Sequence, residues 1–128
     1  MIKPLYHYDL AENPPAPFIA IRTTNPVTRQ SEITAAKLDT GAARTVIPER
    51  LAERLGLSVA GFQVLRAFDG RRAEVLIYLA DVELAGILFE SVEVAAIPRS
   101  SILLGRDLLN QFDITLRGKA QTFDMAVA

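Results

Sequence analysis

The chain has 128 residues with 14 basic and 15 acidic side chains, a formal net charge of −1 and no cysteine. This length predicts one domain over residues 1–128 with a single hydrophobic core. The balanced charge, without a basic block or a long apolar run, argues against nucleic acid or a membrane as partner. Without cysteine, and with His7 as the one histidine, the sequence predicts no metal site and no other cofactor.

Short runs of β-prone residues predict strands along most of the chain. In chain order they are Leu5–Leu10, Phe18–Thr23, Arg29–Leu38, Thr45–Ile47, Phe62–Phe68, Arg71–Leu79, Val82–Leu84, Ile87–Ile97, Ile102–Leu104, Ile114–Arg117 and Thr122–Val127. The prolines of residues 12–17 predict a break after the first strand, because proline cannot donate to a sheet. Asp69-Gly70 between two strands is a strong hairpin signal.

Two short helices are predicted between these strands. In Pro48–Leu55, proline is tolerated in the first turn, Leu51 and Leu55 share one face, and Gly56 can end the helix. The second predicted helix is Asp107–Phe112. These elements together predict a mainly β domain of the barrel or sandwich class.

Asp39-Thr40-Gly41-Ala42 directly follows the strand that ends at Leu38. A carboxylate at a strand end, on a turn opened by glycine, is well displayed for acid–base chemistry. Hydrolysis of an amide by carboxyl groups needs two of them, which share one proton when held close together. The chain has one such motif, so an enzyme of this kind must be a homodimer in which Asp39 meets its symmetry mate.

The segment Asp39–Ile47 resembles the active-site segment of retropepsins, the single-domain aspartic proteases of retroviral type. Ile102–Leu109 is similar to the second motif of that family, in which hydrophobic residues are followed by Gly-Arg, a polar residue and a helix. The hairpin around Asp69-Gly70 lies between the two motifs, where the family carries its flap over the substrate. The similarity covers about residues 18–125.

This resemblance implies a retropepsin-like closed β-barrel half with one or two short helices, an acid-protease fold that dimerisation completes. It also implies a role for four groups of residues: Asp39 as the catalytic acid/base; Thr40, Gly41 and Ala42 as the active-site scaffold; Phe68, Asp69 and Gly70 as flap and substrate contacts; and Leu104, Gly105 and Arg106 as structural support. Thr40 is expected to hydrogen-bond across the two-fold axis.

One position departs from the family pattern. Retropepsins usually have an acidic residue two places after the glycine, where it pairs with the arginine of the second motif and contacts the substrate backbone. Here that position is Ala43, followed by Arg44. Arg106 must therefore have another partner, and the outer substrate contacts must differ. Asp107 is interpreted as an acidic residue at the positive end of a helix.

The resemblance implies a homodimeric aspartic endopeptidase that acts on extended peptide segments without a metal or organic cofactor. Two alternatives remain: a catalytically inactive peptide-binding or dimerisation module with the same fold, and a monomeric β domain in which Asp-Thr-Gly is coincidental. The first twelve residues lack a basic leader followed by an apolar stretch, which predicts a cytoplasmic protein. In retropepsins the chain ends interleave between subunits, and both ends here are β-prone.

Overall fold

The computed structural model describes residues 4–66 and 69–127. Its elements, in chain order, are β1 (Tyr6–Asp9), β2 (Ala16–Thr24), β3 (Ser31–Leu38), β4 (Val46–Pro48), α1 (Glu49–Leu55), β5 (Val59–Arg66), β6 (Arg72–Leu84), β7 (Ile87–Ile97), β8 (Ile102–Leu104), α2 (Arg106–Leu109), β9 (Asp113–Arg117) and β10 (Thr122–Ala126). Neither helix of the described ranges has the length and apolar character of a membrane span. The chain is therefore mainly β, as the sequence predicts.

The described strands form one sheet in the order β5-β6-β7-β4-β8-β3-β2-β1-β10-β9. An additional antiparallel pairing joins β2 to β6, with Arg22 opposite Glu83 and Thr24 opposite Asp81. Because β2 and β6 stand at the two ends of the run β6-β7-β4-β8-β3-β2, this pairing closes six strands into a ring. The prediction of a closed barrel is confirmed.

The core fills this barrel with aliphatic side chains from strands β2, β3, β4, β6, β7 and β8. Helix α1 covers it with Leu51, Ala52 and Leu55, which are almost fully buried. Gly56 ends α1 with a left-handed φ of 60°, and its N–H bonds the carbonyls of Ala52 and Glu53, as expected of a glycine C-cap. The predicted helix begins one residue early, because Pro48 is still extended and pairs with β7.

The two terminal strands of the described chain pair with each other. Tyr6 lies opposite Phe123 in the β1–β10 pair, and the two rings stack at 5.2 Å between centroids. Phe123 is fully buried. The last hairpin, β9–β10, therefore packs against the barrel of its own chain. The interleaving of these strands with a second chain stays a prediction.

Other element predictions also need correction. Strand β3 begins at Ser31 and not at Arg29, and β5 begins at Val59 and not at Phe62. The predicted strands Arg71–Leu79 and Val82–Leu84 are parts of the single strand β6, which continues through an irregularity between Ala80 and Val82. Asp81 at this irregularity is buried, and its carboxylate accepts a hydrogen bond of 2.9 Å from the Ser91 N–H. The hydrogen bond to Ser91 and the ion pair with Arg29 at 3.3 Å offset the desolvation of this carboxylate, and the strand continues past it.

The second helix is also shorter than predicted. It begins one residue earlier, at Arg106, and ends at Leu109, because Asn110 to Phe112 continue only as turns. The hairpin around Asp69-Gly70 is present as β5–β6, with Arg66 opposite Arg72. Residues 67 and 68 at its tip lie outside the described residues, and the flap prediction for Phe68 falls there.

A surface ion pair joins β3 to α1 and gives a prediction about pH. Arg54 Nε and Nη2 donate to the Glu32 carboxylate at 2.9 and 3.0 Å, and this hydrogen bonding lowers the pKa of Glu32. Because the folded pKa is the lower one, the stabilisation is present above the ordinary glutamate pKa of about 4.3 and is lost as pH falls through the folded pKa. Glu32→Gln should therefore unfold at lower urea concentration than wild type near neutral pH, and at the same concentration in strong acid. An equal difference at both pH values would contradict this role of the pair.

Candidate active site

Asp39 lies where β3 leaves the barrel. Strand β3 runs parallel to β8 with Leu38 opposite Leu104, and the Asp39 N–H donates to the Leu104 carbonyl at 3.0 Å. Sheet hydrogen bonding thus continues to the Asp39 backbone and fixes the start of the turn. The turn closes with the Ala42 N–H donating to the Asp39 carbonyl at 3.2 Å.

The Asp39 side chain is half-buried, and its Oδ1 accepts a hydrogen bond of 2.9 Å from the Gly41 N–H. A Cβ at residue 41 would lie 3.2 Å from this same oxygen, a tight contact that glycine avoids. Thr40 and Gly41 are exposed at the tip of the turn. The carboxylate is therefore oriented by its own backbone and presented at an accessible surface.

The segment that joins β8 to α2 packs directly under this turn. A Cβ at Gly105 would lie 2.5 Å from the Arg44 carbonyl carbon and 2.8 Å from Thr45 N, so only glycine fits between the two segments. The Gly105 N–H donates to Thr45 Oγ1 at 3.1 Å. The Arg106 N–H donates to the Ala42 carbonyl at 2.8 Å. The structure thus brings together the predicted scaffold and the predicted support residues.

Arg106 needs a partner other than residue 43, because Ala43 has no acidic group, and the structure shows that partner. Arg106 Nη1 donates to the Thr40 carbonyl at 2.7 Å, a short bond from a charged donor. Arg106 thereby holds the turn by the residue next to Asp39. In this chain the arginine contacts turn backbone where an acidic side chain is missing.

Asp107 has a larger role than its interpretation as a helix-terminal residue. It does accept from the Leu108 N–H at 2.9 Å, but its carboxylate also accepts from Thr45 Oγ1 at 2.8 Å and from the Thr45 N–H at 3.1 Å. Thr45 is fully buried, so these bonds satisfy polar groups that would otherwise be costly. The sequence carried no signal for this contact, because the burial of Thr45 is known only from the structure.

The β5–β6 hairpin carries the two predicted flap residues that the structure describes, Asp69 and Gly70. At its tip Gly70 has a left-handed φ of 81°, and Asp69 accepts from the Arg71 N–H at 3.0 Å. In the described ranges, neither Asp69 nor Gly70 hydrogen-bonds the Asp39 turn. Nearer the barrel, the hairpin contributes to a small apolar cluster separate from the main core: Val75, Ile77 and Ala95, with Val46 and Ile97 packed against them.

Taken alone, the chain displays one carboxylate that its own turn backbone orients at an accessible surface. No group of three or more potential metal-binding side chains occurs in residues 4–66 and 69–127. Such a carboxylate can accept or donate one proton. The chain offers no second carboxylate of its own motif.

Comparison with known proteins adds a family and a fold. Residues 27–111 match the family model described as "gag-polyprotein putative aspartyl protease", a range that includes the Asp39 turn, the hairpin and the Gly105 segment. No curated protein sequence matches the chain.

Three solved structures are similar in fold. A retropepsin-like aspartic protease from Rickettsia conorii matches with a TM-score of 0.63 and 17% identity, over 99% of this chain and 94% of that one. The protease of simian foamy virus (mac) matches with a TM-score of 0.52 and 22% identity, over 71% and 91%. The retroviral protease-like domain of Ddi1 from Leishmania major matches with a TM-score of 0.50 and 18% identity, over 87% and 94%.

These identities are low, so the solved structures establish the fold alone. The family model covers most of the chain and includes both motifs. The chain therefore belongs to the retropepsin-like aspartic protease family.

Proposed function

We propose that the protein is a homodimeric aspartic endopeptidase in which Asp39 of each chain forms the catalytic dyad. The observation that best supports this is the Asp39 carboxylate itself, oriented by the Gly41 N–H on an exposed turn. The β8–α2 segment holds that turn through the Leu104 carbonyl and through Arg106. A preorganised carboxylate with an accessible face is what proton transfer to and from a substrate requires.

The proposed reaction uses one proton shared between two carboxyl groups. The ionised carboxylate accepts a proton from the attacking water, and the protonated one donates to the peptide carbonyl oxygen, which gives a tetrahedral diol. The carboxyl group that took the water proton then donates it to the leaving nitrogen as the C–N bond breaks. The other carboxylate takes a proton from a diol hydroxyl, which leaves the carboxylic acid product and restores the shared proton. Like charges held close cannot both ionise readily, so the pair retains this proton, and its two pKa values belong to the dyad.

The exposed tip of the turn suits a symmetric encounter. In an isologous dimer the same patch of each subunit meets across a two-fold axis. Thr40 and Gly41 are exposed beside the half-buried Asp39. The turns of two subunits can therefore meet without a rearrangement of either barrel. We propose that the Thr40 hydroxyl bonds the partner turn, which would fix the spacing of the two carboxylates.

The proposed substrate is an extended peptide bound between the turn and the β5–β6 hairpin. Strand β5 stands at one end of the sheet order, so one of its backbone edges is available for strand addition. The hairpin also carries large apolar side chains exposed to solvent, Phe62 at 65% and Val64 at 49%. These exposed side chains favour apolar residues in a peptide that binds along the hairpin.

A non-catalytic peptide-binding module is the second candidate, and Ala43 is the residue that favours it. The test is incubation of the protein with a diverse peptide mixture from acid to neutral pH, with products identified by mass spectrometry. New termini that form with wild type and not with Asp39→Asn support the protease. Binding without products at any pH supports the module, and a strict monomer at high concentration in sedimentation contradicts the dyad.

Arg106→Met gives a prediction about the positioning of Asp39. The substitution removes the bond to the Thr40 carbonyl, so we expect kcat to fall more than KM rises, while the free energy of unfolding falls by about 0.5–1.5 kcal/mol. Arg106→Lys should recover part of kcat because it retains a charged donor. Arg50→Met, on the exposed face of α1, is the control. If Arg106→Met matches this control in kcat, the bond does not position the turn.

A further inference from the structure

We propose that Arg44 is a specificity-determining residue that favours an aspartate or glutamate side chain at an outer position of the peptide substrate. The inference rests on the proposed function in that it places the peptide between the Asp39 turn and the β5–β6 hairpin. It adds a charge preference to that cleft, which the apolar cluster alone would not predict.

A cavity lies between these two structural elements. It has a volume of about 240 Å³, and its lining residues are Arg44 from the turn, Ala60, Gly61, Phe62 and Gln63 from β5, Ile77 from β6 and Glu93 from β7. Ile77 also belongs to the small apolar cluster. The cavity therefore extends from the loop after Asp39 to strands β5, β6 and β7.

Arg44 and Glu93 are the two ionisable side chains that line this cavity, and they form an ion pair of 3.3 Å between Nη1 and Oε2. The Arg44 side chain is 35% exposed and the Glu93 side chain 62% exposed. The Arg44 side chain is the less exposed of the two, so solvent screens its charge less than that of Glu93.

The geometry of the Arg44 guanidinium also favours an acidic side chain of the peptide. Arginine presents five donors in a planar fork that matches a carboxylate, and the single bond to Glu93 uses one nitrogen. A second carboxylate from a peptide can therefore bond Arg44 beside Glu93. A lysine or arginine from a peptide would have only the more exposed and already paired Glu93 as partner.

An extended peptide can deliver such a side chain. Residues of a strand rise about 3.3 Å each and alternate faces, so a peptide that passes the Asp39 turn and follows β5 directs every second side chain toward the same wall. Arg44 is five residues beyond Asp39 on the same loop. The acidic preference is thus expected away from the cleaved bond, with apolar residues closer to it.

The test measures binding separately from cleavage. Fluorescence anisotropy with the Asp39→Asn protein compares pairs of peptides that differ only by glutamate or glutamine at one position. One outer position should favour glutamate by about 2- to 5-fold, the range for a partly exposed ion pair, and the ratio should shrink as salt is added. Arg44→Gln should abolish the ratio, Glu93→Gln should increase it, and Arg50→Gln is the control.

A ratio of one at every position, or a ratio that Arg44→Gln and Glu93→Gln leave unchanged, overturns the inference. Since Glu93→Gln retains Arg44, it decides the matter even where Arg44→Gln folds poorly. Cleavage by the wild-type protein is scored in parallel. Asp39-dependent cleavage without an acidic preference rejects the role of Arg44 and retains the protease. An acidic preference in binding without any cleavage retains the role of Arg44 and rejects the protease. The absence of both the preference and the cleavage rejects both proposals.

Discussion

Asp39→Asn is expected to lower the rate of peptide cleavage by at least about 10²- to 10⁴-fold, the contribution typical of a positioned acid–base group. Asparagine has the same shape and can still accept the hydrogen bond that the Gly41 N–H donates to Oδ1 at 2.9 Å. It cannot take a proton from water, and the dyad is lost in both subunits. Cleavage assays with a peptide that wild type cuts measure the effect.

Stability and assembly should not change with this substitution. The urea midpoint and the sedimentation profile of Asp39→Asn are expected to match those of wild type. Asp113→Asn, an exposed aspartate at the start of β9, is the matched control and should retain full activity. Cleavage by Asp39→Asn at the wild-type rate would remove the mechanism.

Gly105→Ala is expected to reduce stability and activity together. The added methyl would lie 2.5 Å from the carbonyl carbon of Arg44, 2.8 Å from its oxygen and 2.8 Å from Thr45 N. These are backbone atoms, so no side chain can turn aside, and the turn or α2 must shift. We expect a loss of about 1–3 kcal/mol in the free energy of unfolding, the usual cost of overpacking.

Activity should fall further than this loss of stability explains, because the displaced segment leads directly back to Asp39. Urea unfolding and cleavage at a temperature where the variant is folded separate the two effects. Gly118→Ala is the control, since no atom lies within 4 Å of the corresponding Cβ position. A Gly105→Ala protein that behaves like Gly118→Ala would show that the close packing under the turn is unimportant.

Local features of the sequence were sufficient for most of the strands and for the elements of the site. Asp69-Gly70 predicts its hairpin because this dipeptide favours a turn between two strands, and Gly70 has the left-handed φ that such a turn uses. Gly56 predicts the end of α1, where it also has a left-handed φ. The two motifs also predict that the Asp39 turn and the Gly105 segment meet. The structure places them in contact through the Leu104 carbonyl and the Arg106 N–H.

Contacts between residues distant in sequence could not be predicted in the same way. The closure of the barrel depends on the pairing of Arg22 with Glu83, which no local pattern encodes. The role of Asp107 depends on Thr45, 62 residues away, and a helix-terminal aspartate gives the same sequence signal without that partner. Ala43 did indicate that Arg106 needs a new partner, but a backbone carbonyl such as that of Thr40 has no sequence signature.

Mixing wild type with Asp39→Asn tests most directly whether two chains build one reactive centre. At concentrations where sedimentation shows dimers, equal amounts of the two proteins should lower activity per wild-type chain to about half, because half of those chains then lie in mixed dimers. A larger excess of Asp39→Asn should lower it further, while Asp39→Asn added to an already cross-linked wild-type dimer should have no effect. Activity that stays constant as Asp39→Asn is added to freely exchanging wild type would show that one chain acts alone, which contradicts the dyad.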